Sequence, residues 1–257
     1  MESSAAFSPA RIEELAARFE SATAEDVIAW SLETFSPKIS FASSFGAEDV
    51  AIIDMMCKAD KQKTRVFTLE TGRLNQETYD LIDDVRARYG IQVEVFFPDQ
   101  KQVEEMVRMK GMNLMYESVE NRKFCCNVRK VIPLNRALAG LDAWITGIRR
   151  DQVSTRAAAR KVESDPVHNG IIKVNPLADW TSSMVWDYIK KNDIPYNKLH
   201  EKGYPSIGCE PCTRPVVPGE DERAGRWWWE NAAHKECGLH FDPTSKKALK
   251  KPSSSES

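Results

Sequence analysis

The chain has no long apolar run. Its most hydrophobic stretches, such as VAIIDMM (residues 50–56), are broken by charge, which excludes a membrane-spanning helix. Nor is there an excess of charge of either sign. Thirty-six Lys and Arg stand against 38 Asp and Glu, a net charge of −2, so a bulk nucleic-acid or membrane-surface binder is not expected. The start, MESSAAFSPARIEEL, lacks a basic segment followed by an apolar core, so no secretory signal is expected and the compartment expected is the cytoplasm. No internal repeat is present, and there is only one C-x-x-C. Structural disulfides are rare in the cytoplasm, so the six cysteines point to metal or redox chemistry. What remains is an ordinary globular composition, 42% hydrophobic and 29% charged, over 257 residues. That length supports one sizeable core, or one core and a small appendage.

Residues 8–36 read as helical, with Ile12, Leu15, Ala16 and Phe19 spaced for one apolar face. KISFA (38–42), TRVFTL (64–69), IQVEVFF (91–97) and AWITGI (143–148) read as strands. Helices are expected after the first strand, with Val50, Ile53 and Cys57 on one side, and after the second, closed by Gly90. Further helices are expected over 102–110 and from Thr181 to Ile189. Strand and helix alternate, which predicts an α/β fold with a doubly wound, mostly parallel sheet. From residue 206 the composition turns to Pro, Gly, Cys and Trp without a period. The expected organisation is an α/β nucleotide-binding domain over 1–205, then an irregular C-terminal arm over 206–257 ending in a disordered tail.

Two βα loops carry anion-binding features. SSFGAED (43–49) places Ser43, Ser44 and Gly46 at a helix N-terminus, where free N–H groups and the helix dipole favour an anion. Thr71, Gly72 and Arg73 follow the second strand at the same sheet edge, where α/β proteins bind ligands. Arg149 and Arg150 follow the fourth strand at that edge and are read as further anion contacts.

Cys209 and Cys212 form the C-x-x-C, and the adjacent pair Cys125 and Cys126, in NRKFCCNVRK, is the other close pair. Four thiolates suit a structural zinc or an iron–sulfur cluster. Zinc sites usually draw their ligands two to four residues apart. Adjacent cysteines can reach separate corners of a cluster if the backbone bends there. A redox C-x-x-C beside an unrelated buried pair also stays open. Cys57 falls on an apolar helix face and reads as a small buried hydrophobe. Cys237, in HKECGLH near cations, has the setting of a reactive thiolate, with a stray cysteine or a His234/Cys237/His240 metal set as alternatives. RWWWE (226–230) reads as core or interface packing.

Taken together, SSFGAED, TLETGRLNQETY, CCNVRK, TGIRRDQ, PLADWT, CEPCTRP and ECGLH resemble the assimilatory adenylyl-sulfate (APS) reductases of the APS/PAPS reductase family, from about residue 40 to 240. The resemblance implies an adenine-nucleotide-α-hydrolase-like fold and one [4Fe–4S] cluster per chain on Cys125, Cys126, Cys209 and Cys212. It also implies a nucleophilic Cys237 on a mobile tail, Lys130 beside the cluster, and Arg223, Arg226 and His240 facing the phosphosulfate. The implied partners are adenylyl sulfate and thioredoxin or glutaredoxin, with no nucleic acid or membrane and with room for a homo-oligomer. The implied reaction is reduction of APS to sulfite and AMP through an S-sulfocysteine, in sulfate assimilation and cysteine biosynthesis.

PAPS or dual APS/PAPS use is the alternative, with Arg73 the cation expected to read a 3′-phosphate if one is selected. A more distant alternative is an ATP-dependent adenylyltransferase with a zinc site of four cysteines. The related ATP-cleaving loop reads S-G-G-x-D-S, and Phe45 stands where its first glycine would be. A bulky side chain there is expected to leave less room for three phosphates. A non-enzymatic iron–sulfur redox sensor would need neither Cys237 nor an adenine pocket.

Overall fold

The structure is a computed structural model and describes residues 7–230; Cys237, His234 and His240 lie outside the described residues. The helical stretch expected over 8–36 is two helices. Ser8 accepts the Arg11 N–H at 3.2 Å and Pro9 fills the first turn, so α1 spans Pro9–Phe19. Thr23 accepts the Asp26 N–H and opens α2, Ala24–Phe35. Leu15, Ala16 and Phe19 are buried, as their spacing requires.

The four expected strands are present as β1 (Ile39–Ala42), β2 (Val66–Leu69), β3 (Val93–Phe96) and β4 (Ala143–Ile145). Two more, β5 (Val162–Asp165) and β6 (Ile171–Val174), are not among those the sequence pattern predicts. β5 has a single strong apolar residue, so it shows no alternation. Its buried Asp165 is held instead by the Trp144 indole at 3.1 Å and by His168 Nδ1 at 2.8 Å. The other helices are α3 (Ala47–Asp60), α4 (Gln76–Tyr89), α5 (Gln100–Lys110), α6 (Val119–Cys126), α7 (Ile132–Leu138) and α8 (Ser182–Lys191). Gly90, at φ 58°, ends α4, and the Thr181 hydroxyl caps α8, both as expected. Cys57 is half-buried, and burial pushes its thiol up to about 11.

The sheet order is β3-β2-β1-β4-β6-β5, parallel throughout except for β5, which runs antiparallel to β6. Side chains alternate across it. Phe41, Val66 and Ile145 join the core that holds α2, α3 and α8, while Phe67 and Trp144 meet Leu134, Ala137 and Leu138 of α7 on the opposite face. Helices on both faces make the sheet doubly wound. The chain moves outward from β1 through β2 to β3, then returns to place β4 on the other side of β1. The loops after β1 and β4 therefore part, which opens a crevice at the strand ends. No helix of the described residues is long and apolar enough to cross a membrane.

Between α6 and α7 the helix widens at Asn127–Val131, where the Ile132 N–H reaches back to the Asn127 carbonyl. Pro133 accounts for this: it has no N–H to donate, and its ring would strike the carbonyl four residues earlier in a regular α-helix. The backbone thus changes course directly after the adjacent cysteines.

Candidate active site

A cavity of about 200 Å³ fills the crevice. Phe67, Leu69 and Trp144 give it apolar walls, and the loops after β1, β2 and β4 supply Ser43, Ser44 and Gly46, Thr71, and Gly147. Lys130, Arg223 and Arg226 also line it, so seven of the sequence-predicted residues come together here. Gly72, Arg73, Arg149 and Arg150 do not line it. Gly72 takes φ 71° and donates its N–H to the Glu70 carboxylate. Arg73 turns to a second cavity and bonds the Met112 carbonyl and, at 3.0 Å, Asn113 Oδ1. Arg150 pairs with Glu20 at 2.8 Å and bonds the Ala159 carbonyl at 2.7 Å. Arg149 is buried among the carboxylates of Glu48, Asp151 and Glu222.

The loop after β1 differs from a vacant anion cradle. Asp49 Oδ2 accepts the Ser44 N–H at 2.6 Å, the Ser44 hydroxyl at 2.9 Å and the Gly46 N–H at 3.3 Å. Donors that the sequence offered to a ligand hold the chain's own carboxylate. Burial and the neighbouring Glu48 charge raise Asp49 to about 6, against the lowering effect of those hydrogen bonds. Gly147 is needed opposite, because a Cβ there would lie 2.4 Å from Asp49 Oδ1. Phe45 adopts φ 59°, a left-handed conformation that costs roughly 1–2 kcal/mol for a residue with a side chain. Its ring is fully buried in the core and does not line the cavity.

Sequence reasoning missed Arg156, Gln152, His200 and Glu222, which line the same cavity. Arg156 had a signal, since it lies in the same basic βα loop as Arg149. His200 had none. It sits in a 3-10 turn (Lys198–Lys202), its ring edge-on to Trp186 at 5.0 Å and its buried Nε2 without a hydrogen-bond partner among the described residues. Burial lowers its pKa against the opposing pull of Glu48, which favours the neutral ring.

A second cavity adjoins the first. Cys125 and Cys126 reach it from the end of α6, and Cys209 and Cys212 from the two sides of a short 3-10 turn; all four are buried and none is in a disulfide. Arg73, Arg122, Arg129, Lys130 and Arg226 surround them, and Lys130 and Arg226 line both cavities. Burial raises the Cys125 thiol, and burial with the neighbouring Cys209 raises Cys212 to about 11. Cys209 differs: burial raises it, but the Lys130 charge, the Thr71 hydroxyl at 3.4 Å and the Arg226 charge bring it below the ordinary thiol value. Among the described residues, no three His, Cys, Asp or Glu side chains converge closely enough to hold a single metal ion.

Cross-links fix this second cavity. Arg122 makes a bidentate bond to Glu230 at 2.8 and 2.7 Å, both side chains buried, and stacks over Trp227 at 4.6 Å. The Trp227 N–H bonds the Cys212 carbonyl at 3.1 Å. Arg226 donates to Ser206 Oγ and the Ile207 carbonyl, and Gly208 leaves room for its guanidinium. Of the three tryptophans in RWWWE, Trp227 is buried as expected of packing, while Trp228 is 40% exposed.

Residues 38–215 match the family described as the phosphoadenosine phosphosulfate reductase domain. The chain is similar to the adenosine 5′-phosphosulfate reductase of Burkholderia cepacia, with 54% identity over 204 residues that cover 79% of this chain and 81% of that protein. It is also similar to the chloroplastic 5′-adenylylsulfate reductase 3 of Arabidopsis thaliana, with 49% identity over 236 residues. Those residues cover 89% of this chain and 51% of that protein, so the chain spans about half the length of the plant relative. Among solved structures, the phosphoadenylyl-sulfate reductase of Candida auris in a phosphate complex matches with a TM-score of 0.69 and 30% identity, over 79% of this chain and 96% of that one. The FMN adenylyltransferase of Candida glabrata, with a TM-score of 0.54 and 14% identity over 88% of this chain and 76% of that one, shares the fold alone.

Proposed function

The chain belongs to the phosphoadenosine phosphosulfate reductase family, and from that premise we propose that it reduces adenylyl sulfate to sulfite and AMP with thioredoxin or glutaredoxin as the electron donor. The setting is cytoplasmic assimilatory sulfate reduction, leading to cysteine biosynthesis. The observation that carries this reading is the shared wall: Lys130 and Arg226 face both the sheet-edge cavity and the cavity of four thiols.

The adenosine occupies the apolar part of the sheet-edge cavity, and Lys130, Arg156, Arg223 and Arg226 take up the charge of the phosphosulfate. The Cys237 thiolate attacks the sulfur of APS. An S–S bond forms, the S–O bond to the phosphate breaks, and AMP leaves with the electron pair. A thiolate of the reductant then attacks Cys237 Sγ and expels sulfite, and its second thiol closes the reductant's disulfide, which supplies the two electrons. Nucleophile and sulfo group are both negative, so cations must offset charge in the transition state. Lowering a thiol pKa from about 8.5 to about 7 would yield only about threefold after the loss of nucleophilicity, near 0.6 kcal/mol. Positioning and charge compensation supply the rest.

Cys125, Cys126, Cys209 and Cys212 would hold the [4Fe–4S] cluster. The donor set fits: four buried thiols outside any disulfide, brought to one cavity and ringed by cations that offset thiolate charge. When bound, the cluster would supply a fixed charge that tunes the field on the Lys130 and Arg226 wall.

The test is anaerobic purification with iron and sulfide analysis beside APS turnover. Iron and acid-labile sulfide should be present and be lost in Cys209→Ser, while Cys237→Ser should keep both and lose turnover. Stoichiometric zinc without sulfide, or an active Cys237→Ser, would refute the reading. The kcat/KM should favour APS over PAPS by at least about tenfold, or about 1.4 kcal/mol. Equal or reversed preference would establish the PAPS alternative.

A further inference from the structure

Arg149 is 2% exposed, and its guanidinium is engaged on every nitrogen. Nε donates to Glu48 at 2.7 Å, Nη1 to Asp151 and Nη2 to Glu222 at 3.0 Å. These carboxylates come from three places: the first turn of α3, the loop after β4, and the segment that carries Arg223 and Arg226. Gln152 extends the set, donating to Glu48 at 2.9 Å and accepting from Arg156 Nη1 at 2.5 Å. A guanidinium that faces three carboxylates has its positive charge compensated and offers little net attraction to an anionic substrate.

The segment after Glu220 is tight. Asp221 accepts the Arg223 N–H on its side chain at 2.8 Å and the Ala224 N–H on its carbonyl at 2.9 Å, so residues 221–224 form one turn. Its downstream end is clamped separately. The Gly225 carbonyl accepts the Arg214 N–H, a Cβ at Gly225 would lie 2.2 Å from the Arg214 carbonyl oxygen, and Arg226 is held by Ser206 and Ile207. The Glu222–Arg149 ion pair is where the upstream end reaches the sheet loops. Glu222 is 36% exposed in its side chain, so it can be replaced without opening the core.

We propose that Arg149 and Glu222 are positioning residues: their ion pair holds the turn that sets Arg223 at the cavity. This rests on the reading of the cavity as an APS site. Arg226, clamped independently, does not depend on the pair.

The experiment uses the iron-loaded full chain in a Cys237→Ser background, so that APS binds without reacting, and measures Kd by calorimetry. Glu222→Gln should weaken APS binding about tenfold, the scale of a lost charge-assisted hydrogen bond, with iron content and urea midpoint unchanged. Glu222→Asp should recover part of the loss. In an Arg223→Gln background, adding Glu222→Gln should change Kd less than twofold, because its effect runs through Arg223. An unchanged Kd in Glu222→Gln, or a full further loss in the Arg223→Gln background, overturns the proposal. Turnover of the chain with Cys237 intact separates the two claims. If it binds APS without reducing it, the reduction reading fails, and the Kd series still decides the role of Glu222. A chain that does not bind APS overturns both.

Discussion

The two adjoining cavities are held together by different physics. The strand-borne part of the sheet-edge cavity hangs on parallel strands whose register places the loops after β1, β2 and β4 side by side, so Ser43, Ser44, Gly46, Thr71 and Gly147 each need only their own loop to be correct. The thiol cavity joins residues 125–126 to residues 209–212 with no strand pairing between them; the isolated bridge of Thr213 to Arg226 lies within the later segment. There the work falls to buried side-chain cross-links, above all Arg122 to Glu230. A cavity built on ladders tolerates the loss of one contact. One built on cross-links should not.

The sharpest way to break that contrast is Glu230→Gln. Removing one partner of a buried ion pair leaves an uncompensated charge, at a cost of about 3–5 kcal/mol. Urea unfolding should register that loss, and Arg122→Met combined with Glu230→Met should recover much of it. A change below about 1 kcal/mol would mean the pair is not what holds the thiol side.

On the sheet side, the corresponding change is Asp49→Asn, and its effect depends on pH. The folded-state pKa of Asp49 is raised to about 6 from an ordinary value of 3.8, so the folded chain binds the proton more tightly than the unfolded one. Wild-type stability therefore falls as pH rises from about 4 through about 6, by at most about 3 kcal/mol from this group. Asn keeps the acceptor oxygen and cannot ionise. Relative to wild type, the variant should gain stability across that window and hold its advantage above it. A difference that stays flat from pH 4 to 7 would show that Asp49 titrates normally.

Gly147→Ala probes the same carboxylate sterically. The added methyl meets Asp49 Oδ1, and relief by local shifts should cost about 1–3 kcal/mol, with weaker APS binding and unchanged iron content. Iron loss in this variant would show that the two cavities are not separable. The smallest effect is expected at Thr181→Ala, which removes the α8 cap at about 1 kcal/mol and should leave both cavities as they are.

The same division separates what could be read ahead from what could not. The four strands β1–β4 were legible because each is a short apolar-rich or alternating stretch, as in IQVEVFF for β3. β5 was not, since its buried polar residue, Asp165, is satisfied by Trp144 and His168 rather than placed by a hydrophobic pattern. The Asn169-Gly170 pair, both residues at positive φ, was a turn signal that could have pointed to the β5–β6 hairpin. Ser43, Ser44, Gly46 and Thr71 were placed at the cavity correctly because the strand end carries them there. Arg149 and Arg73 share that sheet edge yet turn elsewhere, because a long side chain goes to whichever carboxylate or carbonyl is nearest in space.

From the sequence alone came the alternation of strand and helix, the two loops at the sheet edge, the pairing of two cysteine doublets and the family to which they belong. These are local: periodicity, turn chemistry and motif spacing are carried by residues a few positions apart. Tertiary structure decided the strand order, the occupation of the β1 loop's donors by Asp49, the neutralisation of Arg149 by three carboxylates and the common wall of Lys130 and Arg226. Each of these depends on which charges and hydrogen-bond donors meet across long stretches of chain. A buried polar group takes the partner that folding brings within reach, because leaving it unpaired costs more than most sequence preferences can offset.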